Sequence, residues 1–256
     1  IIKNDAFANC TSLEEIELPP SLEDIGRTAF TRSGLKRLVI PESVTVIGKY
    51  ITLDCKNLDS LSVRSGNTVY DSRNGCNAII KTESDQLLEG CNTTVIPQGV
   101  IEIGAYAFAG KQGFKEMKIP NSVKYIRQQA FSFCGLERID IPSGVRLLES
   151  NPFMGCGNLA YISVHEDNPY YSSPSGSNAI ISNPDTLILG CRNTVIPPSV
   201  TIIAPEAFSF CIGLEKVDIP ESVKTVKYRA FFHCPDLKEL FIPASATDFQ
   251  TPEFCT

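Results

Sequence analysis

Residues 136–158 read LERIDIPSGVRLLESNPFMGCGN, and this stretch decides the fold. Leu136, Ile139 and Ile141 form a Leu-x-x-Ile-x-Ile run closed by Pro142; Val145 stands four residues past Ile141, and Phe153 is followed three residues later by Cys156. The phrase recurs along all 256 residues, opening at Leu13, Leu35, Leu58, Cys91, Phe114, Leu136, Leu159, Cys191, Leu214 and Leu237. Successive spacings are 22, 23, 33, 23, 22, 23, 32, 23 and 23 residues. Such periodicity overrides the length prior of one or two globular domains and predicts a single solenoid over 1–256.

Each part of the phrase has a physical reading. Leu-x-x-Ile-x-Ile is a short extended run whose large side chains point inward while the alternate residues face out. Proline ends it, having no N–H to give to a neighbouring ladder; Pro19, Pro41, Pro97, Pro120, Pro142, Pro197, Pro220 and Pro243 do so in eight of the ten coils. The Ser-Val-x-x-Ile that follows (Ser43-Val44, Ser122-Val123, Ser222-Val223) predicts a second short strand on the far side. Ala-Phe-x-x-Cys (Ala107-Phe108, Ala130-Phe131, Ala207-Phe208, Ala230-Phe231) predicts a helical or 3-10 turn with Phe plugged into the core. A single coil cannot bury its own apolar face, whereas stacked coils can.

The two coils without the proline, opening at Leu58 and Leu159, are the long ones. Each carries an insert, about 67–89 and 168–189, of Ala-Ile-Ile, a polar turn (82–85; 183–185) and a second apolar run, which predicts a β-hairpin. Tyr70, Tyr170 and Tyr171 lie just before the hairpins. Two readings stay open: hairpins that widen the core, or a recognition ridge. Residues 77–80 (NAII) return at 178–181, and 90–97 match 190–197, so a block of about 100 residues is duplicated, 58–158 and 159–256.

Hydrophobic content of 43%, 20% charged residues and a mean hydropathy of zero fit a folded chain. No apolar run approaches the roughly 18 residues of a membrane span, and the first residues show no signal-peptide pattern. A net charge of −6 without a clustered basic surface argues against a nucleic-acid partner.

With its recurring Pro, Phe and Cys, the phrase resembles the BspA-like class of leucine-rich repeats from bacterial surface proteins, whose consensus runs close to Leu-x-x-Ile-x-Ile-Pro-x-Ser-Val-x-x-Ile-Gly-x-x-Ala-Phe-x-x-Cys. The match spans nearly the whole chain. It departs where Gly is replaced by Arg127, Glu149, Ala204 and Lys227, and where Thr52 replaces Phe, departures that look like loop tolerance. The resemblance implies an α/β solenoid, a right-handed superhelix with a parallel β-sheet on its concave face, and a function of surface adhesion or protein recognition without enzyme activity. An extracellular or cell-surface location follows from the resemblance alone. Both ends fall inside a repeat, which predicts a fragment of a longer protein.

Cys10, Cys55, Cys134, Cys156, Cys211 and Cys234 all stand three residues after the Phe slot and form one ladder. Each is expected as a small buried hydrophobe with a weak S–H donor aimed at backbone carbonyls. Disulfides between neighbouring ladder positions are disfavoured by parallel Cβ vectors at the strand spacing. With no Cys-x-x-Cys, zinc has no signature, and no metal or cofactor is expected. Cys91 and Cys191 fill leading Leu slots and should be core, leaving Cys76 and Cys255 free to react. Of the two histidines, His233 fills the slot of Phe133 and Phe210 in sister coils and His165 follows a strand where the duplicate has Arg64; neither accompanies a nucleophile motif, so no catalytic residue is predicted.

The outward strand positions are where coils differ. One row is Glu15, Arg37, Ser60, Thr93, Glu116, Arg138, Tyr161, Asn193, Lys216, Glu239; the other is Glu17, Val39, Ser62, Val95, Lys118, Asp140, Ser163, Val195, Asp218, Phe241. Opposite charges should meet across coils at Glu15/Arg37, Glu116/Arg138, Lys118/Asp140 and Lys216/Glu239, supporting register. Of these rows Arg37, Ser60, Thr93, Arg138, Tyr161, Asn193, Val195, Lys216 and Phe241 are the candidate partner-binding residues, facing a protein or a glycan on a monomeric module. Two other readings remain, a structural spacer displaying another domain and, less supported, an enzyme.

Overall fold

The computed structural model describes residues 1–250. Each coil carries up to two short strands. The first, on the Leu-x-x-Ile-x-Ile run, pairs parallel and in register with the next coil: Arg37–Ile40 with Ser60–Val63, Arg138–Ile141 with Tyr161–Val164, and Lys216–Asp218 with Glu239–Phe241. Inward positions such as Leu38, Ile40, Ile139 and Ile141 are fully buried. After the proline the chain turns at once, the proline carbonyl accepting the N–H three residues on, as in Pro142–Val145 and Pro220–Val223.

The first sheet is not the continuous parallel sheet expected. It falls into three two-stranded pieces, because each insert re-enters between coils. Ser72 accepts a hydrogen bond from the Val63 N–H and donates to the Ala78 carbonyl, while the Val95 N–H reaches the Cys76 carbonyl. In the second block the Val195 N–H reaches the Ser177 carbonyl in the same way.

The longer sheets are on the second face. Glu102–Ile103, Tyr125–Ile126 and Leu147–Leu148 stack in parallel, and the insert strand Gln86–Gly90 joins them through Gln86↔Glu102. Ala78–Lys81 then pairs antiparallel with Gln86–Gly90, and Tyr70–Asp71 completes six strands. The second block repeats this with Tyr171–Ser172, Ala179–Ser182, Thr186–Gly190, Ile202–Ile203, Thr225–Val226 and Asp248–Phe249. Ala78, Ile79, Ile80 and Leu87 have no exposed surface, so the inserts supply core. The tyrosines before them are anchors: Tyr70 Oη accepts the Ile47 N–H (3.0 Å) and Tyr171 Oη the Leu148 N–H (2.9 Å). Asn67 and Asn168 clamp the same junction, each donating to two carbonyls of the preceding coil and accepting two backbone N–H groups.

The Ala-Phe-x-x-Cys segments are turns, which corrects the helical expectation; among the described residues the helical element is the 3-10 turn Arg73–Gly75. The reason lies in alternating backbone donors. Tyr106, Phe108 and Gly110 give their N–H groups to Gln128, Ala130 and Ser132 of the next coil, whereas Ala107, Ala109 and Lys111 bond back three residues within their own turn. Tyr106 and Gly110 have positive φ (60° and 74°). Left-handed residues on either side of the Phe slot point every second N–H along the stack, which no α-helix can do. The phenylalanines then stack: Phe108–Phe131 at 4.9 Å, Phe131–Phe153 at 5.4 Å and Phe208–Phe231 at 5.0 Å between near-parallel rings.

Cys76 is also buried (2% exposed), which corrects its assignment as a reactive thiol; Cys255 lies outside the described residues. Because burial raises the Cys76 pKa and shields the sulfur, iodoacetamide should leave it unmodified in the folded protein and label it after unfolding, read by peptide mass spectrometry.

Candidate binding surfaces

Outward residues of the first sheet are held at fixed spacing by the buried ones between them. Arg37, Arg138, Tyr161, Lys216 and Phe241 are exposed, as are Thr93, Asn193 and Val195, while Ser60 is half-buried. Glu116, Lys118, Arg138, Asp140, Ser163 and His165 surround a concavity of about 550 Å³. A second concavity of about 380 Å³ lies by Glu15, Glu17, Arg37, Val39 and Arg64. Tyr161 (56% exposed) and Phe241 (53%) are large apolar side chains on this face.

The charge pairs differ from the expected ones. Of the four cross-coil pairs, only Lys216–Glu239 forms among the described residues, at 3.7 Å. Arg138 instead grips Asp140 of its own strand with two bonds (2.9 and 3.0 Å), since outward residues two apart on one strand already lie side by side. The cross-coil pairs sit just before the strand: Lys36–Glu14 at 2.7 Å, Lys115–Glu137 at 3.0 Å and Lys238–Glu215 at 3.3 Å. All are well exposed and screened by solvent, so they add little to stability. Thr93 and Asn193 tie together the coils on either side of each insert: Thr93 Oγ1 donates to the Asp59 carbonyl (2.6 Å) and Asn193 Nδ2 to the Ala160 carbonyl (3.3 Å).

Two departures from the repeat are networks rather than loop tolerance. Arg127 bridges Glu102 and Glu149 (2.5 and 2.7 Å) across three coils of the second sheet. Thr52, in a Phe slot, is fully buried and its hydroxyl donates to Glu89 (2.5 Å), which also accepts the Ile51 N–H at 2.9 Å. Lys111 is 1% exposed and its ammonium donates to the Thr52 carbonyl at 2.6 Å. Burial pushes the Glu89 carboxyl up, partly offset by nearby Lys111, and burial pushes the Lys111 ammonium down. About 100 residues further on, the equivalent positions hold Phe153, Leu189 and Cys211. Lys111 stands in a ladder Cys slot, three residues after Phe108; that spacing was the signal in the sequence, and the cysteine count concealed it.

In the ladder, Cys55, Cys156 and Cys234 aim their thiols at the Phe30, Phe131 and Phe208 carbonyls of the preceding coil, at 3.0, 3.0 and 3.1 Å. Cys134 and Cys156 touch through their sulfurs at 3.4 Å. Cys134 and Cys211 are also buried, and Cys10 is half-buried. Among the described residues, no three His, Cys, Asp or Glu side chains converge as a metal site, and no helix is long and apolar enough to cross a membrane.

Known proteins resemble this architecture. Six copies of the BspA type leucine rich repeat region match residues 1–83, 84–183 and 189–256. No curated protein matches. A leucine-rich repeat protein from Eubacterium ventriosum ATCC 27560 is similar over 99% of this chain and 68% of its own, at 24% identity and a TM-score of 0.67. A leucine rich cell surface protein from Faecalibacterium prausnitzii A2-165 is similar over 87% of this chain and 65% of its own, at 23% identity and a TM-score of 0.60. Those likenesses carry the fold, the chain spanning about two thirds of each, and the repeat match carries the family: the chain belongs to the BspA-type leucine-rich repeats.

Proposed function

We propose that this chain is a non-catalytic recognition module of a bacterial surface or secreted protein, binding a protein partner through the outward face of the first sheet. The observation that carries the reading is the contrast between a repeated core and a non-repeated face. Inward Leu, Ile, Phe and Cys recur from coil to coil, while exposed Tyr161 and Phe241 each stand once in their outward rows, and Arg138 lines a concavity able to seat a partner's side chain. Aromatic and Arg anchors with a polar surround are the composition of energetic centres in interfaces. The surface location rests on the family. A structural spacer is the second reading, supported by the charge compensation of Lys36–Glu14, Lys115–Glu137 and Lys238–Glu215.

Biolayer interferometry against extracellular-matrix proteins tests this. Tyr161→Ala and Phe241→Ala should each weaken binding by about ten-fold, the effect of a 1–2 kcal/mol anchor. Binding that both variants leave unchanged overturns the assignment of the face, and no binding to any such protein supports the spacer.

A further inference from the structure

The slot shared by Phe133, Phe210 and His233 is not core. It lies at the corner of the coil in the left-handed region, with φ of 51°, 58° and 54°, where sister coils place Asn9, Asp54, Gly110 and Gly155. Bulky side chains seldom adopt that conformation, and here the repeat imposes it on whatever residue fills the corner. Phe133 is 41% exposed and meets Phe210 edge to face at 5.1 Å, lying across the coil between them. That coil is cut away to admit it: a Cβ on Gly155 would lie 2.4 Å from the Phe133 ring, and one on Gly157 would lie 2.6 Å from Ile212. Beside the ring runs a groove of about 650 Å³, crossing the coils from Thr11 to Ile212.

The lining selects the ligand. Asn57, Gln112 and Asn158 are exposed amides in the groove, and those of Asn57 and Asn158 make no hydrogen bond among the described residues. Gln112 donates to the Phe133 carbonyl and holds the corner in place. The groove's Arg32 and Asp54 pair with each other at 3.4 Å, which leaves the exposed Lys56 as the single unpaired charge among the described lining residues. Side-chain amides both donate and accept, as sugar hydroxyls do, and an exposed ring face with its negative quadrupole receives the C–H face of a pyranose. An apolar peptide anchor would leave the amides unpaired, and an acidic polymer would find too few cations. We infer that this corner groove binds a neutral oligosaccharide laid across the coils, with Phe133 as its stacking platform and Asn57 and Asn158 as hydrogen-bonding partners. This site is separate from the first-sheet face and stands whether or not that face binds protein.

Isothermal titration calorimetry of the full chain with hexaoses of β-1,4-linked glucose, mannose and N-acetylglucosamine provides the test. At least one should bind with a Kd below about 1 mM. Phe133→Ala should weaken that binding by about ten-fold or more, Asn158→Ala by about three-fold, and Phe133→Tyr should retain it. Asn158 is exposed and its side chain makes no hydrogen bond among the described residues, so its variant keeps the readout independent of folding; Tyr161→Ala should leave sugar binding unchanged. The inference is overturned by silence from all three hexaoses, by binding that Phe133→Ala and Asn158→Ala do not alter, by binding lost with Tyr161, or by a Phe133-dependent protein partner in the absence of sugar binding.

Discussion

Replacing Lys111 with methionine should destabilise the protein by about 3–5 kcal/mol, read as a lowered midpoint in urea, because a buried charge that loses its partner is left uncompensated. Lys111 and Glu89 are both almost wholly buried, and Thr52 connects them through its carbonyl and its hydroxyl. Removing Lys111 takes away the positive charge that restrains the Glu89 carboxyl, which burial already pushes up. A carboxyl whose folded pKa is raised favours the fold in its protonated form. Its contribution is present below its unfolded pKa of about 4.3 and is lost as pH rises through the folded value, so the variant should weaken progressively as pH rises from there. The triple change Thr52→Phe, Glu89→Leu and Lys111→Cys installs the set found at Phe153, Leu189 and Cys211 and should recover at least wild-type stability, since well-packed apolar replacement of a buried polar cluster is often neutral or stabilising. A triple variant as weak as Lys111→Met would show that these positions do not form one cluster.

Two phenylalanines two residues apart should behave oppositely. Phe131 is fully buried and stacks between Phe108 and Phe153, so Phe131→Ala leaves a cavity in the ring column and should cost about 3–5 kcal/mol. Phe133 lies at the half-exposed corner, and Phe133→Ala should cost only about 0.5–1.5 kcal/mol, the worth of its edge-to-face pair with Phe210. Thermal unfolding of the two variants side by side decides it; equal losses would mean that the corner ring contributes to the core after all.

The core was readable from spacing because each coil places a given repeat position in the same surroundings. Leu136, Ile139, Ile141, Phe153 and Cys156 are buried for the reason their sister residues are, and one such coil predicts the rest. The helical turn was misread because Ala-Phe-x-x-Cys has helical spacing, while its geometry is dictated by N–H groups that must serve the next coil. Asn9, Asp54, Gly110 and Gly155 were the trace of left-handed backbone in that slot, and Phe133, Phe210 and His233 disguised it as apolar.

By itself the sequence determined the repeat, the family it belongs to, the inward side of the interior coils and the burial of five of the six ladder cysteines, all properties of position within one coil. Only the tertiary structure decided what meets across coils: that Arg138 turns to Asp140, that the inserts extend the second sheet and divide the first, that Thr52, Glu89 and Lys111 share a buried site, and that Phe133 lies over Gly155. Contacts within a coil follow from local periodicity. Contacts between coils depend on how the inserts reroute the chain and on the direction each corner gives its side chain, and neither is written in the spacing.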